Sequence, residues 1–261
     1  MKQLFWNMGR NDNADLALEC MRSLEVGVAA FAECNRTVFS DSLLGDAGYR
    51  ILGLGGCDKI KVLAADSIGV ANCYEESRFS VFVLDSDGAR FVFAAAHLAD
   101  RQSSSCPGRR IKEIGSMMGV VHGSEASYDT DKTIVIGDFN SNPYDAELLQ
   151  PDAFNAVLFK DCLRSKTSRT WEGDTYPCLY NPTIHWLSED TGNYGSFYYS
   201  SDDVGPMWNC FDQALVSPSL MDAVRGYSYL KKIGDTELIA RIAPKKRISD
   251  HLPLLLDVDL G

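Results

Sequence analysis

Thr133-Ile134-Val135-Ile136-Gly137-Asp138-Phe139-Asn140-Ser141-Asn142-Pro143 changes character at its midpoint. Its first four residues are apolar or β-branched and predict a short buried strand, whereas Gly, Asp, Asn, Ser and Pro after them are turn and cap residues. The strand therefore ends where the polar groups begin. Asp138 and Asn140, two apart on an extended chain, can point to one side at the carboxyl end of that strand, where a carboxylate and an amide can meet one reacting atom. The same residues also read as a loop that caps a helix. Polar residues at other strand ends favour the first reading.

With 261 residues, 45% apolar and 23% charged, the chain is expected to form one globular domain over 1–261. No apolar run approaches a membrane span, and Met1-Lys2-Gln3 leads straight into Leu4-Phe5-Trp6 without a signal-peptide core, so a soluble cytoplasmic protein without membrane contact is expected. The eight cysteines are scattered singly with no Cys-x-x-Cys pair, which points to reduced thiols rather than zinc or disulfides. A net charge of -11 argues against indiscriminate coating of nucleic acid. It leaves a nuclease open, because carboxylates that bind metal are themselves negative and local basic clusters can hold phosphates. Those clusters are Arg109-Arg110-Ile111-Lys112, Lys231-Lys232 and Lys245-Lys246-Arg247, of which only the last lies beside a candidate site. No protein partner is inferable.

In chain order, a strand over 4–8, a turn over 9–13, a helix over 15–24 and a buried strand over 27–32 make a βαβ-like opening. It places Asn7 and Glu33 at the same end of a sheet. A Glu closing a buried apolar strand is paired in a salt bridge or bound to metal. Short segments over 49–53, 59–64, 68–73, 79–84 and 90–96 predict a mainly antiparallel meander, with Asp85-Ser86-Asp87-Gly88 as a hairpin turn and His97 at the last strand's end. Residues 110–121 carry Ile111, Ile114, Met117, Met118 and Val121 on one helical face. One or two short helices are expected over 144–158, broken by Pro151. The aromatic, Gly-rich stretch 171–208 is expected to be a long ordered loop or insertion. Strands over 209–216 and 237–242 follow, with a short helix from Ser217-Pro218, before the closing Ser249-Asp250-His251-Leu252-Pro253.

The polar residues gathered at strand ends are Asn7, Glu33, His97, Asp138, Asn140, Asp212, Asp250 and His251. Hard oxygen ligands with two imidazoles suit magnesium or manganese better than zinc. The order Trp-Asn, strand-end Glu, His-Leu, Gly-Asp-Phe-Asn, Phe-Asp-Gln and Ser-Asp-His-Leu-Pro resembles the endonuclease/exonuclease/phosphatase superfamily over nearly the whole chain.

That resemblance implies an α/β (α+β) fold, a four-layered sandwich of two mixed β-sheets flanked by helices, with the active site where the motif loops converge at one edge. It makes Glu33 the main ligand of Mg2+ (or Mn2+), completed or supported by Asn7 and Asp250. Asp138 would orient or deprotonate the attacking water, and Asn140 would hold that water or a phosphate oxygen. His251, oriented by Asp212, and His97 would donate to the phosphate. By their own position, only a few residues before Asp250-His251, Lys245, Lys246 and Arg247 either grip phosphates flanking the scissile one or form a solvated loop. One departure is Gly9, where some nucleases of the family carry an acidic residue, which weakens the case for a second metal. The expected activity is a metal-dependent nuclease acting on nucleic acid, with a small or lipid-borne phosphate as the alternative substrate. A binding module that kept the fold without the chemistry is disfavoured, because the whole polar set is present.

Overall fold

Two mixed sheets of six and seven strands stack face to face in the computed structural model, which describes residues 1–34, 38–100, 108–199, 206–238 and 248–261. The first sheet opens with β1 (Lys2–Asn7), helix α1 (Ala14–Ser23) and β2 (Val26–Ala32), and β1 and β2 are parallel with Asn7 opposite Ala32. Helix α2 (Asp41–Ala47) precedes β3 (Tyr49–Leu52) and β4 (Ile60–Ala65), which pair antiparallel, and β4 also pairs antiparallel with β2. The chain then enters the second sheet as an antiparallel meander of β5 (Gly69–Glu76), β6 (Phe79–Ser86) and β7 (Ala89–His97). Helix α3 (Arg109–Tyr128) carries it back to β8 (Thr133–Asp138), parallel to β7. On the other side of β8 lies Asp212–Val216, antiparallel, and the strand Leu254–Val258 closes the first sheet against β1.

Apolar runs without alternation are explained by burial on both faces of the second sheet. Ile134 and Ile136 of β8, Phe91 and Phe93 of β7, and Phe82 of β6 face the core between the sheets. Their neighbours Val135, Val92, Ala94 and Val81 face a second core, shared with Ile114, Met117 and Val121 of α3. Side chains two apart share a face, so each strand feeds two cores at once. The layers run α1, six-stranded sheet, seven-stranded sheet, α3, as the resemblance implied.

Several local expectations are corrected. The meander over 49–96 is split between the sheets: β3 and β4 belong to the first, and the chain changes sheet at the turn 66–67. Local apolar patterning reports burial and carries no information on which sheet receives a strand. The helices expected over 144–158 shrink to the four-residue helix Ala146–Leu149, because Ala156–Val157 (β9) pairs in parallel with Leu179–Tyr180. The single strand over 209–216 is two, since Trp208–Asn209 pairs with Phe197–Tyr198 while Asp212–Val216 joins β8. The stretch 171–208 begins within a hairpin of Ser168–Trp171 and Asp174–Pro177, then supplies Leu179–Tyr180 to the main sheet and the helix Thr183–Trp186. Of the strand expected over 237–242, Glu237 belongs to Thr236–Glu237, paired with Lys232–Ile233, and 239–242 lie outside the described residues.

Gly137 shows how tightly the site is built into the sheet. A Cβ there would overlap the backbone carbonyl of Ala96 on β7, and backbone inside a paired strand cannot yield without loosening the β7–β8 ladder. Gly137→Ala is therefore expected to lower unfolding free energy by at least about 2 kcal/mol in urea titration. Gly119→Ala, at an α3 position where a Cβ meets nothing within 4 Å, should be neutral or stabilise by up to about 1 kcal/mol.

Candidate active site

Register and face place the polar groups. His97, Asp138 and Asp212 are consecutive cross-strand partners on three adjacent strands. Each lies two residues beyond an apolar side chain of the inter-sheet core, namely Ala95, Ile136 and Ala214. By the two-residue period of a strand, the three polar side chains extend those apolar rows to the end of the gap between the sheets. From the facing sheet, Asn7 and Glu33 arrive at the ends of parallel β1 and β2.

These groups meet. Asn7 Nδ2 donates to Asp138 Oδ2 at 3.0 Å and lies 3.5 Å from Glu33 Oε1. His97 Nε2 lies 3.7 Å from Glu33 Oε1 and 3.8 Å from Asp138 Oδ2. Two carboxylates from different sheets thus converge on the same amide and the same imidazole. The amide oxygen of Asn7 accepts from Gly9 N at 3.0 Å, which orients its nitrogen towards Asp138. Asn140 N donates to Asp138 Oδ1 at 3.0 Å and Asn140 Nδ2 donates to Leu98 O at 3.0 Å. Asn140 and Glu33 both have left-handed backbones, with φ of 50° and 48°. Asn adopts that region readily, whereas for Glu it is a strained conformation of the kind retained where the surroundings dictate it.

His251 is held from every side. Its Nδ1 lies 2.7 Å from Asp212 Oδ2, its Nε2 4.0 Å from Asp138 Oδ2, and its carbonyl accepts from Trp6 Nε1 at 3.1 Å. The Ser249 hydroxyl donates to Asn7 O at 2.6 Å and accepts from His251 N at 3.1 Å, which ties the closing loop to the end of β1. Phe197 packs on the imidazole at a ring separation of 4.8 Å. Asp212 is itself fixed through its backbone, with its N–H on Ser196 Oγ at 3.1 Å and its carbonyl accepting from Tyr229 Oη at 2.8 Å. Burial alone would depress the imidazole, but the charges of Asp212 and Asp138 and the Asp212 hydrogen bond outweigh it and hold His251 at about 10. Burial pushes the Asp212 carboxyl up, with the imidazolium opposing. Ser196, Phe197 and Tyr229 carry no motif, and their part in the site follows only from tertiary packing.

A pocket of about 470 Å³ opens over these groups, lined by Asn7, Glu33, His97, Asp138, Asn140 and His251 together with Arg10, Lys59 and Arg78. Those three cations were missed by sequence reasoning. Asp250 is exposed, and a Cβ built on Gly9 would come within 3.2 Å of its Oδ1. Gly9, with φ of 58°, is thus the residue that lets the closing loop approach β1. Lys245, Lys246 and Arg247 lie outside the described residues.

The donors present fit a hard divalent cation: carboxylates converge, and among the described residues Cys34 is the one cysteine that lines the pocket. Two groupings are available. Ligating atoms of Asp138, Asp212 and His251 lie within 4.8 Å of one another, but there His251 Nδ1 is already committed to Asp212. Glu33, 30% exposed, offers carboxylate oxygens at the open side.

No family profile and no curated protein sequence matches the chain. Solved structures do match its fold. The mannosyl-6-phosphatase of Bacteroides thetaiotaomicron superposes with a TM-score of 0.64 at 14% identity, over 99% of both chains. An endonuclease/exonuclease/phosphatase family protein from the same organism gives 0.63 at 15%, over 99% of this chain and 94% of that one. The 3′ phosphatase NExo from Neisseria, bound to product DNA hairpin, gives 0.60 at 16%, over 99% of both. At such identities the likeness is one of architecture: the chain has the fold of the endonuclease/exonuclease/phosphatase family proteins.

Proposed function

We propose that the chain is a metal-dependent phosphoric ester hydrolase of the endonuclease/exonuclease/phosphatase superfamily, and that its substrate is nucleic acid, cleaved by in-line attack of water. The observation that carries this reading is the convergence of Glu33 and Asp138 on Asn7 and His97, with His251 Nε2 4.0 Å from Asp138 Oδ2. NExo, whose fold the chain shares, was solved with DNA, which supports nucleic acid. The fold of the mannosyl-6-phosphatase and a pocket of about 470 Å³, within the usual size of small-molecule sites, support a small phosphate ester as the second reading. Seven free thiols among the described residues accord with a reducing, cytoplasmic setting.

Each side chain has a place in the chemistry. Asp138 takes the proton of the attacking water through Oδ2, while Oδ1 is fixed by Asn140 N. Asn140 spends one amide hydrogen on Leu98 O and keeps the other for water or a phosphate oxygen. His251 donates from Nε2 to a phosphoryl oxygen, with Nδ1 held by Asp212. His97 Nε2 donates from the opposite side. Glu33, supported by Asn7 and Asp250, would hold Mg2+ or Mn2+. When bound, the metal supplies positive charge for the phosphoryl oxygens.

The test is turnover of plasmid, single-stranded DNA, RNA and small phosphodiesters with magnesium, manganese or chelator. Chelator should abolish turnover, and Asp138→Asn should lower kcat by roughly 100- to 10,000-fold with folding intact. Activity that persists in chelator, or near-normal Asp138→Asn turnover, would sink the assignment.

A second expected outcome concerns the His251 proton. In metal-free protein, nitrogen NMR of the imidazole should show imidazolium through neutral pH and deprotonation near pH 10. The folded value lies above the unfolded value of about 6.5, so the contribution of His251 protonation to stability is complete below about pH 6.5 and fades as pH rises towards 10. Asp212→Asn leaves burial less opposed, and the titration should move to markedly lower pH.

A further inference from the structure

Two cations at the pocket mouth have no part in the chemistry above. Arg10, in the turn after β1, and Lys59, one residue before β4, flank Glu33. On the β1 side, Arg10 N donates to Glu33 O at 2.8 Å, and Arg10 Nε lies 3.4 Å from Glu33 Oε2 with the side chain 88% exposed. On the β4 side, Lys59 sits one step beyond the Ala32–Ile60 pair, which sets it beside Glu33. Its side chain is exposed and makes no hydrogen bond or ion pair among the described residues. Arg78, the third cation of the pocket, is otherwise engaged: it donates to His97 O at 3.2 Å and lies 3.6 Å from Glu113.

The backbones of the two cations are fixed. Arg10 has a left-handed backbone with φ of 61°, next to the left-handed Glu33, and the Arg10 N to Glu33 O bond joins them. Lys59 is held by the β2–β4 ladder that begins at the next residue. The two oxygens of Glu33 look in different directions: Oε1 towards Asn7 and His97, Oε2 towards Arg10. Glu33 therefore stands between Arg10 and the place where Asp138 and His251 meet a phosphate. In a chain of net charge -11, lightly paired cations on the rim of a carboxylate-rich pocket mark where an anion approaches. A guanidinium and an ammonium are the pair suited to phosphate oxygens.

We propose that Arg10 and Lys59 form a second phosphate subsite, so that the preferred substrate carries another phosphate beside the scissile one. The proposal rests on the hydrolase reading above and narrows its substrate to molecules with neighbouring phosphates, either a nucleic-acid strand or a small bisphosphate. A lone sugar phosphate leaves the subsite unused.

The test compares wild type with Arg10→Gln/Lys59→Gln on three substrates: a dinucleoside monophosphate, the same molecule with an added terminal phosphate, and a nucleoside 3′,5′-bisphosphate. Wild type should favour substrates with two phosphates. The double variant should lose roughly 10-fold more kcat/KM on them than on the one-phosphate compound, chiefly through KM, as expected for a lost charged hydrogen bond. The charge-keeping Arg10→Lys/Lys59→Arg should recover part of the difference. A selective loss on the extended dinucleotide assigns the subsite to a strand, and one on the bisphosphate assigns it to a small molecule. Equal losses on all three substrates would overturn the subsite while leaving the hydrolase reading intact. Failure of wild type to turn over any of them with magnesium or manganese would overturn the hydrolase reading, and the subsite with it.

Discussion

The hydrogen bond from Asn7 Nδ2 to Asp138 Oδ2, 3.0 Å long, joins the two sheets at the end of their shared core. Asn7 closes a strand of the six-stranded sheet and Asp138 one of the seven-stranded sheet. Both side chains are buried at the point where apolar packing gives way to the pocket. A buried amide and a buried carboxylate are costly unless they satisfy one another. The link therefore fixes the distance between sheets where the chemistry is placed. Glu33 and His97 follow from it, Glu33 one residue past the strand beside Asn7 and His97 at the end of the strand beside Asp138.

The closing segment adds a second constraint. Ser249 binds β1 through Asn7 O and presents the His251 backbone, and Asp212 fixes the imidazole from the strand beside β8. A residue near the chain's end is thereby locked to residues near its start. Asp212 is fully enclosed and His251 nearly so where it lines the pocket, so their geometry is held by packing, while Glu33 and the rim cations remain open to solvent. Enclosed groups that hold a proton and open groups that can exchange ligands are what a phosphoryl-transfer site needs.

Much of this was legible in the sequence because it lies at strand ends. A buried strand that stops at Asp138, another at Glu33 and another at His97 announce polar groups on a rigid frame, and the two-residue period gives the face. The sheet partition of β3 and β4 was not legible, since apolar patterning is the same in either sheet. Lys59 was missed because its neighbour Glu33 lies across a ladder whose register the local sequence does not state. Phe197 and Tyr229 were missed because they reach the site through packing and a backbone hydrogen bond that no local pattern in their stretches states. The left-handed backbone of Gly9 and the nearby Asp250 give glycine there a steric reason that the local sequence does not state.

The central claim is that these strand ends direct water onto phosphorus. Turnover of a phosphodiester in water enriched in oxygen-18, with magnesium and followed by mass spectrometry of both products, tests it most directly. One labelled oxygen in the phosphate product and none in the alcohol is the predicted result. Label in the alcohol, or no hydrolysis with any divalent metal, would contradict the account.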